Sequence, residues 1–424
     1  MTKHSDGLDR REFLRRSAAT GVSLSLFPLA SAQAAEPPGV RRRVTLGRTG
    51  LTIPDIGFGS SRLDGDEALV RHALDRGIDY FDTAEGYTRG ASEETLGRAL
   101  RGVRERVTLA SKVACGPADG VTDLFRALDG SLRRLQTDRV EIYFNHAVND
   151  VARLKNPAWG EFCERAKQQG KIRFTGMSGH GGRLAECLDY AFDHDLVDVV
   201  LVGHNFGQDP AFYERLTASL DFVAVQPELP RLLAKAKSKQ VGVIAMKTLR
   251  GARLNDLRRY EREGGTFAQA AFRWVLSGPH VDALIVTMNS KEMVNEYLGA
   301  SGAAGVSRSD LELLARYENR NGATQCRYGC NACLAACPED VPINEVLRAR
   351  MYAEDYGDPN LARGEYASLG RNAESCVGCA HQACTGACPW GIDIARLTAH
   401  THGRLGQAGV AGAQRGEGER SRSA

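Results

Sequence analysis

Long apolar runs are missing from this 424-residue chain, and so is a strong excess of one charge. The longest apolar stretch is too short to cross a bilayer, which excludes an integral membrane protein and leaves no membrane span in the mature chain. Lys and Arg number 55 against 52 Asp and Glu, a formal charge of +3, so nothing calls for a nucleic-acid partner. Cysteine is scarce over the first 325 residues, where only Cys115, Cys163 and Cys187 occur, and these read as packing residues. A small disulfide-stapled scaffold is excluded by length alone. The other eight of the 11 cysteines all follow residue 325, and the chemistry of the chain changes there.

The N-terminus carries an address. Asp9-Arg10-Arg11-Glu12-Phe13-Leu14-Arg15-Arg16 precedes an apolar run from about Ala18 to Leu29, then Ala32-Gln33-Ala34, a small-residue cleavage pattern. Paired arginines followed by Phe-Leu resemble the twin-arginine export signal, whose translocon carries folded proteins. The resemblance implies that residues 1–34 are removed and that the protein is periplasmic. An ordinary secretory signal is the alternative. Folded export would let a metal cluster inserted in the cytoplasm arrive already holding its cysteines, where an oxidising compartment otherwise favours disulfides.

Residues 40–302 alternate strand and helix. Short β-branched runs fall at 56–59, 78–82, 107–112, 140–146, 172–178, 197–202, 241–247 and 281–286. Between them, stretches such as 93–100, 123–135, 161–168 and 268–276 space apolar residues at helical period. Eight such units over about 250 residues predict an α/β fold, a (β/α)8 TIM barrel. A doubly wound open sheet fits the alternation too, but no Gly-x-Gly-x-x-Gly follows the first strand.

A TIM barrel collects its chemistry where strands end at the C-terminal face, which singles out Asp82, Lys112 and His146, with Tyr87 in the loop after Asp82. Each alone has a plain structural reading as cap, surface cation, loop cover or packed ring. Together, with Gly77-Ile78-Asp79-Tyr80-Phe81-Asp82-Thr83-Ala84, Ser92-Glu93-Glu94-Thr95-Leu96-Gly97, Ser111-Lys112, Tyr143-Phe144-Asn145-His146 and Gly170-Lys171-Ile172-Arg173, they resemble the aldo-keto reductases. The resemblance implies interconversion of a small-molecule carbonyl and alcohol by hydride transfer from NADP or NAD. Tyr87 would donate the proton, Lys112 would bring its pKa toward working pH, Asp82 would hold Lys112, and His146 would orient the carbonyl. Ser178 and Asn205 stand where the family has polar residues near the nicotinamide, whereas Gly179 replaces its Asn and Leu201 its Gln. Thr287, Asn289, Ser290 and Lys291 open a helix whose N-terminal amides can hold a phosphate, with Lys291 or Lys247 as the cation for a 2′-phosphate. Asn289-Ser290 reads equally as a plain helix cap. NADP, NAD and a degenerate nucleotide site stay as alternatives.

Residues 303–400 form a different module. Cys326, Cys330, Cys333 and Cys337-Pro338 recur as Cys376, Cys379, Cys384 and Cys388-Pro389, each quartet continuing into a similar tail. The pattern resembles a bacterial two-cluster ferredoxin, with one extra residue in the first spacing and two in the second quartet's middle spacing. The resemblance implies a small α-rich iron-sulfur domain with two [4Fe-4S] clusters, one on Cys326, Cys330, Cys333 and Cys388, the other on Cys376, Cys379, Cys384 and Cys337. Two zinc sites or four disulfides are the alternatives. Residues 301–305 read as a linker, 309–319 as a helix capped by Ser309 with Glu312 closing the box, about 351–375 as an insertion wrapping the barrel, and 403–424 as a disordered tail.

Two functional classes follow: an exported reductase coupled to electron transfer through the clusters and a redox protein partner, or an electron-transfer or binding module whose barrel no longer uses nicotinamide. The export reading has its own test. Replacing Arg10 and Arg11 by Lys is expected to leave the precursor inside the cell, measured by fractionation and immunoblotting; unchanged export would assign the ordinary secretory route.

Overall fold

The computed structural model describes residues 38–208, 228–250, 257–262, 264–322, 324–327, 330–355 and 357–406. The export segment and residues 407–424 of the expected tail lie outside them. A short antiparallel hairpin, β1 (Arg43–Thr45) and β2 (Thr52–Pro54), opens the described chain. Eight parallel strands follow: β3 (Ile56–Gly59), β4 (Tyr80–Asp82), β5 (Thr108–Val113), β6 (Val140–Asn145), β7 (Ile172–Gly179), β8 (Val199–Gly203), β9 (Gly242–Met246) and β10 (Ala283–Thr287). They close in chain order, with β10 pairing back onto β3, so the expected (β/α)8 barrel is the fold.

Because each barrel strand is buried on both faces, side chains are sorted by alternation. Val199 and Leu201 of β8 join Tyr80, Phe144, Ile244 and Ile285 in the barrel interior, while Val200 and Val202 face the surrounding helices. The hairpin, which the sequence did not signal, closes the bottom: Leu46, Leu51 and Ile53 join the interior cluster. Leu46 sits so close to β9 that a Cβ on Gly242 would stand 2.6 Å from its Cδ1.

The expected linker is tied down at its start. Buried Asp55 accepts from Ser301 Oγ at 2.6 Å and from the Gly302 amide at 2.8 Å. The helix after it runs Arg308–Asn321 and is capped by Ser307 with Asp310, two residues earlier than the expected Ser309 and Glu312. The reason is Arg273, whose guanidinium grips both Asp310 oxygens at 3.0 and 2.6 Å and fixes that carboxylate at the helix start.

The C-terminal region adds helices Ile343–Glu354, Pro359–Ala367 and Ile394–Leu405 around its own apolar cluster, including Val341, Ile343, Leu347, Ile392 and Leu397. The last helix carries the chain to Leu405, so 403–405 are helical where a disordered tail was expected. Among the described residues no helix is long and apolar enough to cross a membrane.

Helix Ala91–Ala99 lies against Val121–Leu135 at Gly97, where a Cβ would stand 2.5 Å from the Arg134 carbonyl oxygen and 2.7 Å from the Leu135 carbonyl carbon. Backbone cannot yield as a side chain can, so Gly97→Ala is expected to destabilise the fold by about 1–3 kcal/mol. Gly160, exposed in helix Pro157–Gln168 with nothing within 4 Å of a Cβ, provides the contrast: Gly160→Ala is expected to stabilise by about 0.4–1 kcal/mol. Thermal unfolding of both variants checks the pair, and equal midpoints would refute the packing argument.

Candidate active site

The closed barrel brings the strand ends together at one face. Asp82 closes β4, Lys112 lies near the end of β5, and His146 directly follows β6. Parallel register sets Asp82 beside Ala110 and Lys112 beside Phe144, so adjacent strands present these groups at similar height. Tyr87 comes from the turn after β4, where Thr88 and Arg89 adopt left-handed backbone at φ 47° and 57°. Lys112 Nζ donates to Asp82 Oδ1 and to the Thr83 carbonyl, each at 2.5 Å, and both side chains are 1% exposed. Burial pushes the Asp82 carboxyl up and the Lys112 ammonium down, and their mutual contact opposes both shifts.

Tyr87 joins this pair through its ring. Lys112 Nζ lies 5.0 Å from the ring centroid, and the His146 ring meets Tyr87 edge to face at 5.7 Å. Burial, then the Asp82 carboxylate, push the Tyr87 phenol above its usual range, and the cation that pulls it back is Lys247. Lys112, paired with Asp82 at contact distance, lies against the same ring. His146 is pushed down to about 3 by burial and then by Lys112, Arg153 and Lys247. It is therefore a neutral imidazole that can donate one hydrogen bond without carrying charge.

Sequence reasoning missed the framework beneath these groups. Arg153 braces the His146 loop by donating to the Cys115, His146 and Ala147 carbonyls and to Asn145 Oδ1, all at 2.7–2.8 Å. Its only signal was an arginine seven residues past His146. Ser92 donates to Ser60, and buried Glu93 accepts from Ser111 at 2.5 Å and from Arg134 at 2.8 Å. The Ser92–Gly97 motif is thus a foundation for β3, β4 and β5.

The expected nucleotide residues divide into three groups. Ser178 Oγ accepts from the Ala147 amide at 2.9 Å. Asn205 accepts from Gly207 N at 3.1 Å and donates to the Lys247 carbonyl at 3.2 Å. At Gly179 a Cβ would meet Leu184 Cδ1 at 2.7 Å and the Val148 carbonyl at 3.0 Å, which explains why no amide side chain stands there. Leu201 points into the barrel interior. Across the face, Thr287 meets Ser61 at 2.8 Å, and Ser290 caps helix Lys291–Leu298 through Met293 N. Asn289 and Lys291 are exposed beside that helix start, with Glu292 in the same turn. The helix end and Lys291 fit a phosphate, Glu292 opposes one, and the amide contacts to a nicotinamide are reduced. Lys247 is placed elsewhere, with Nζ 2.9 Å from the Tyr352 hydroxyl of helix Ile343–Glu354.

The cysteines gather in two cavities. Cys326, Cys330 and Cys333 line one together with Cys388, beside Leu347 and Trp390. Cys376, Cys379 and Cys384 line the other with Cys337. Each cavity therefore takes its fourth sulfur from the opposite run. No disulfide links them, and among the described residues no three His, Cys, Asp or Glu side chains converge as ligands of a single metal ion would. A further cavity is lined by both Cys326 and His180, the residue after β7, so the first cysteine set borders the barrel mouth.

Comparison with known proteins matches this barrel. Residues 55–316 match the Aldo/keto reductase family and end before Cys326. The uncharacterized oxidoreductase YrpG of Bacillus subtilis is 30% identical over 299 residues, 60% of this chain and 89% of that protein. Methylglyoxal reductase YeaE of Escherichia coli is 28% identical over 55% of this chain and 81% of its own length. An aldo/keto reductase from Klebsiella pneumoniae, solved in complex with NADP and acetate, is 27% identical with a TM-score of 0.50, covering 66% of this chain and 95% of that one. The chain belongs to the Aldo/keto reductase family and is an oxidoreductase of that family.

Proposed function

We propose that the chain is an exported, periplasmic oxidoreductase that reduces a small carbonyl with NADP or NAD and exchanges electrons with a redox protein through two [4Fe-4S] clusters. The observation that carries it is the convergence of Asp82, Tyr87, Lys112 and His146 at one barrel face, with a cysteine-lined cavity against the same mouth. Bound nicotinamide would supply hydride and the clusters would carry single electrons. For its part, the chain donates a hydrogen bond from neutral His146 to the carbonyl oxygen and a proton from Tyr87 Oη as negative charge develops there. A phenol held above its usual range keeps its proton until an alkoxide, a stronger base, forms beside it. Lys112 then stabilises the phenolate left behind. Ser178 and Asn205 would face the nicotinamide, and the start of helix Lys291–Leu298 would take a phosphate. The eight cysteines fit the clusters in donor type and in their division into two sets of four.

The second reading, an electron-transfer module that no longer uses nicotinamide, is favoured by the crowded Gly179 and the inward Leu201. Two measurements separate the readings. Anaerobically prepared protein is expected to contain about eight irons and eight sulfides, since each four-iron cluster uses four cysteines; stoichiometric zinc without sulfide would refute the clusters. Tyr87→Phe is expected to lower carbonyl turnover by about 10²–10⁴-fold with NADPH, NADH or a reduced low-potential dye as donor, while iron content stays constant. Lys112→Met should act on the same step and combine non-additively with it. Turnover surviving Tyr87→Phe would move the chemistry to the clusters.

A further inference from the structure

The barrel mouth is completed by the C-terminal region. Lys247 directly follows β9, in the strand-end position where TIM barrels carry function, and its backbone is left-handed at φ 59°. Two hydrogen bonds to its carbonyl hold it so, from Asn205 Nδ2 at 3.2 Å and from the Arg250 amide at 3.1 Å. A long charged residue in that conformation, fixed on both sides, has its side chain aimed by the fold. It reaches Tyr352, Nζ 2.9 Å from the hydroxyl and 4.5 Å from the ring centroid.

The charge of Lys247 bears on three mouth groups, lowering the pKa of Tyr87, His146 and His180. Arg348, one helical turn before Tyr352, acts likewise on Tyr352 and His180. Two cations, one from the barrel and one from helix Ile343–Glu354, therefore act together on His180, and Lys247 acts on Tyr87 as well. Both histidines there are held neutral, so neither adds charge. The acids nearby are Asp82, matched by Lys112, Glu345, paired with Arg348, and Glu365, 3.9 Å from Arg348 and more than a third exposed.

We infer that Lys247 and Tyr352 form a subsite for an anionic oxygen group of the substrate, a carboxylate next to the reacting carbonyl, built jointly by barrel and C-terminal region. This rests on the reductase reading above, and it extends that reading to a substrate class, 2-oxo acids. The ammonium supplies the charge, and the phenol supplies a hydroxyl at a fixed distance from it. The left-handed strand end sets the direction of Lys247, and its charge acts on Tyr87 as well as on the junction with Tyr352.

The test uses the full-length protein and two matched ligand pairs. With phenylglyoxylate and its methyl ester as substrates, Lys247→Met is expected to lower the acid-to-ester ratio of kcat/KM by about tenfold or more, the scale of a charge-assisted hydrogen bond. Lys247→Arg should restore most of the ratio, and Tyr352→Phe should lower it several-fold. A ratio unchanged within twofold, with both substrates slowed equally, would overturn the subsite and leave Lys247 a role in docking or in Tyr87 acidity alone. Taking the ratio cancels any effect on the common proton-transfer step. Calorimetric binding of benzoate against benzamide provides an arm that needs no turnover. Loss of benzoate binding in Lys247→Met with benzamide retained would support the subsite even if neither oxo compound were reduced, and equal binding of the two by the unmodified protein would refute it. Circular dichroism and iron content show that the variants are folded.

Discussion

One buried ion pair organises the site. An ammonium and a carboxylate, each 1% exposed, meet at 2.5 Å inside the barrel mouth. Removing both from water costs several kcal/mol per ion, so the pair persists only where geometry and additional hydrogen bonds compensate. The Thr83 carbonyl supplies one such bond to Lys112. Thr83 is held in turn by Ser92, which reaches Ser60, and Ser111 beside Lys112 is held by buried Glu93. The chain of contacts runs from β3 through β5, so the pair depends on the closed barrel, and the position of the Tyr87 ring depends on the pair.

The C-terminal region is bound to the same face by a second buried charge system. Arg250, three residues after Lys247, pairs with Glu318, and Glu318 also pairs with Arg327, the residue after Cys326. Tyr317 donates to the Arg250 carbonyl at 3.3 Å and to Gln325 at 2.9 Å. Arg327 lies 4.0 Å from the ring centroid of Trp390, which packs against both the barrel core and the C-terminal core. The loop after β9 and the first cysteine run are therefore parts of one network. Displacing either would expose charges that have partners only in the joined state, so the two regions are expected to move as a unit.

The fold was legible because its signals are periodic and local. The eight strand runs were found within about two residues of their ends, since β-branched stretches buried on both faces have no other easy reading. The β1–β2 hairpin was not legible: three-residue strands carry no period, and their role is set by the far side of the barrel. Ser307 was missed as the cap because Arg273, 34 positions upstream, decides which carboxylate closes the box. At the site, the tetrad could be singled out by strand-end position and motif. The two cysteine sets were what the ferredoxin resemblance of the repeated quartets implied. Lys247 was singled out from its residue type, but its direction was not, because φ 59° and a tyrosine 105 positions later determine where it points.

The protonation pattern of the site bears on what the barrel is suited to do. Tyr87 is held above its ordinary range by burial and by Asp82, and His146 is held near 3. At neutral pH the first keeps its proton and the second carries no charge. A group that abstracts a proton from an alcohol must first lose its own, and a raised phenol pKa makes that loss harder. A group that delivers a proton to an alkoxide must be protonated beforehand and must also be acidic enough to give the proton up, which nearby positive charge assists. Burial therefore keeps Tyr87 protonated in the resting site, the state that the proposed reduction would need. Lys247 moderates the effect, since its charge lowers the cost of the phenolate once the proton has gone. A cation held by a tyrosine of the C-terminal region thus acts on the phenol of the barrel, and the electrostatics at Tyr87 are shared by both parts of the chain.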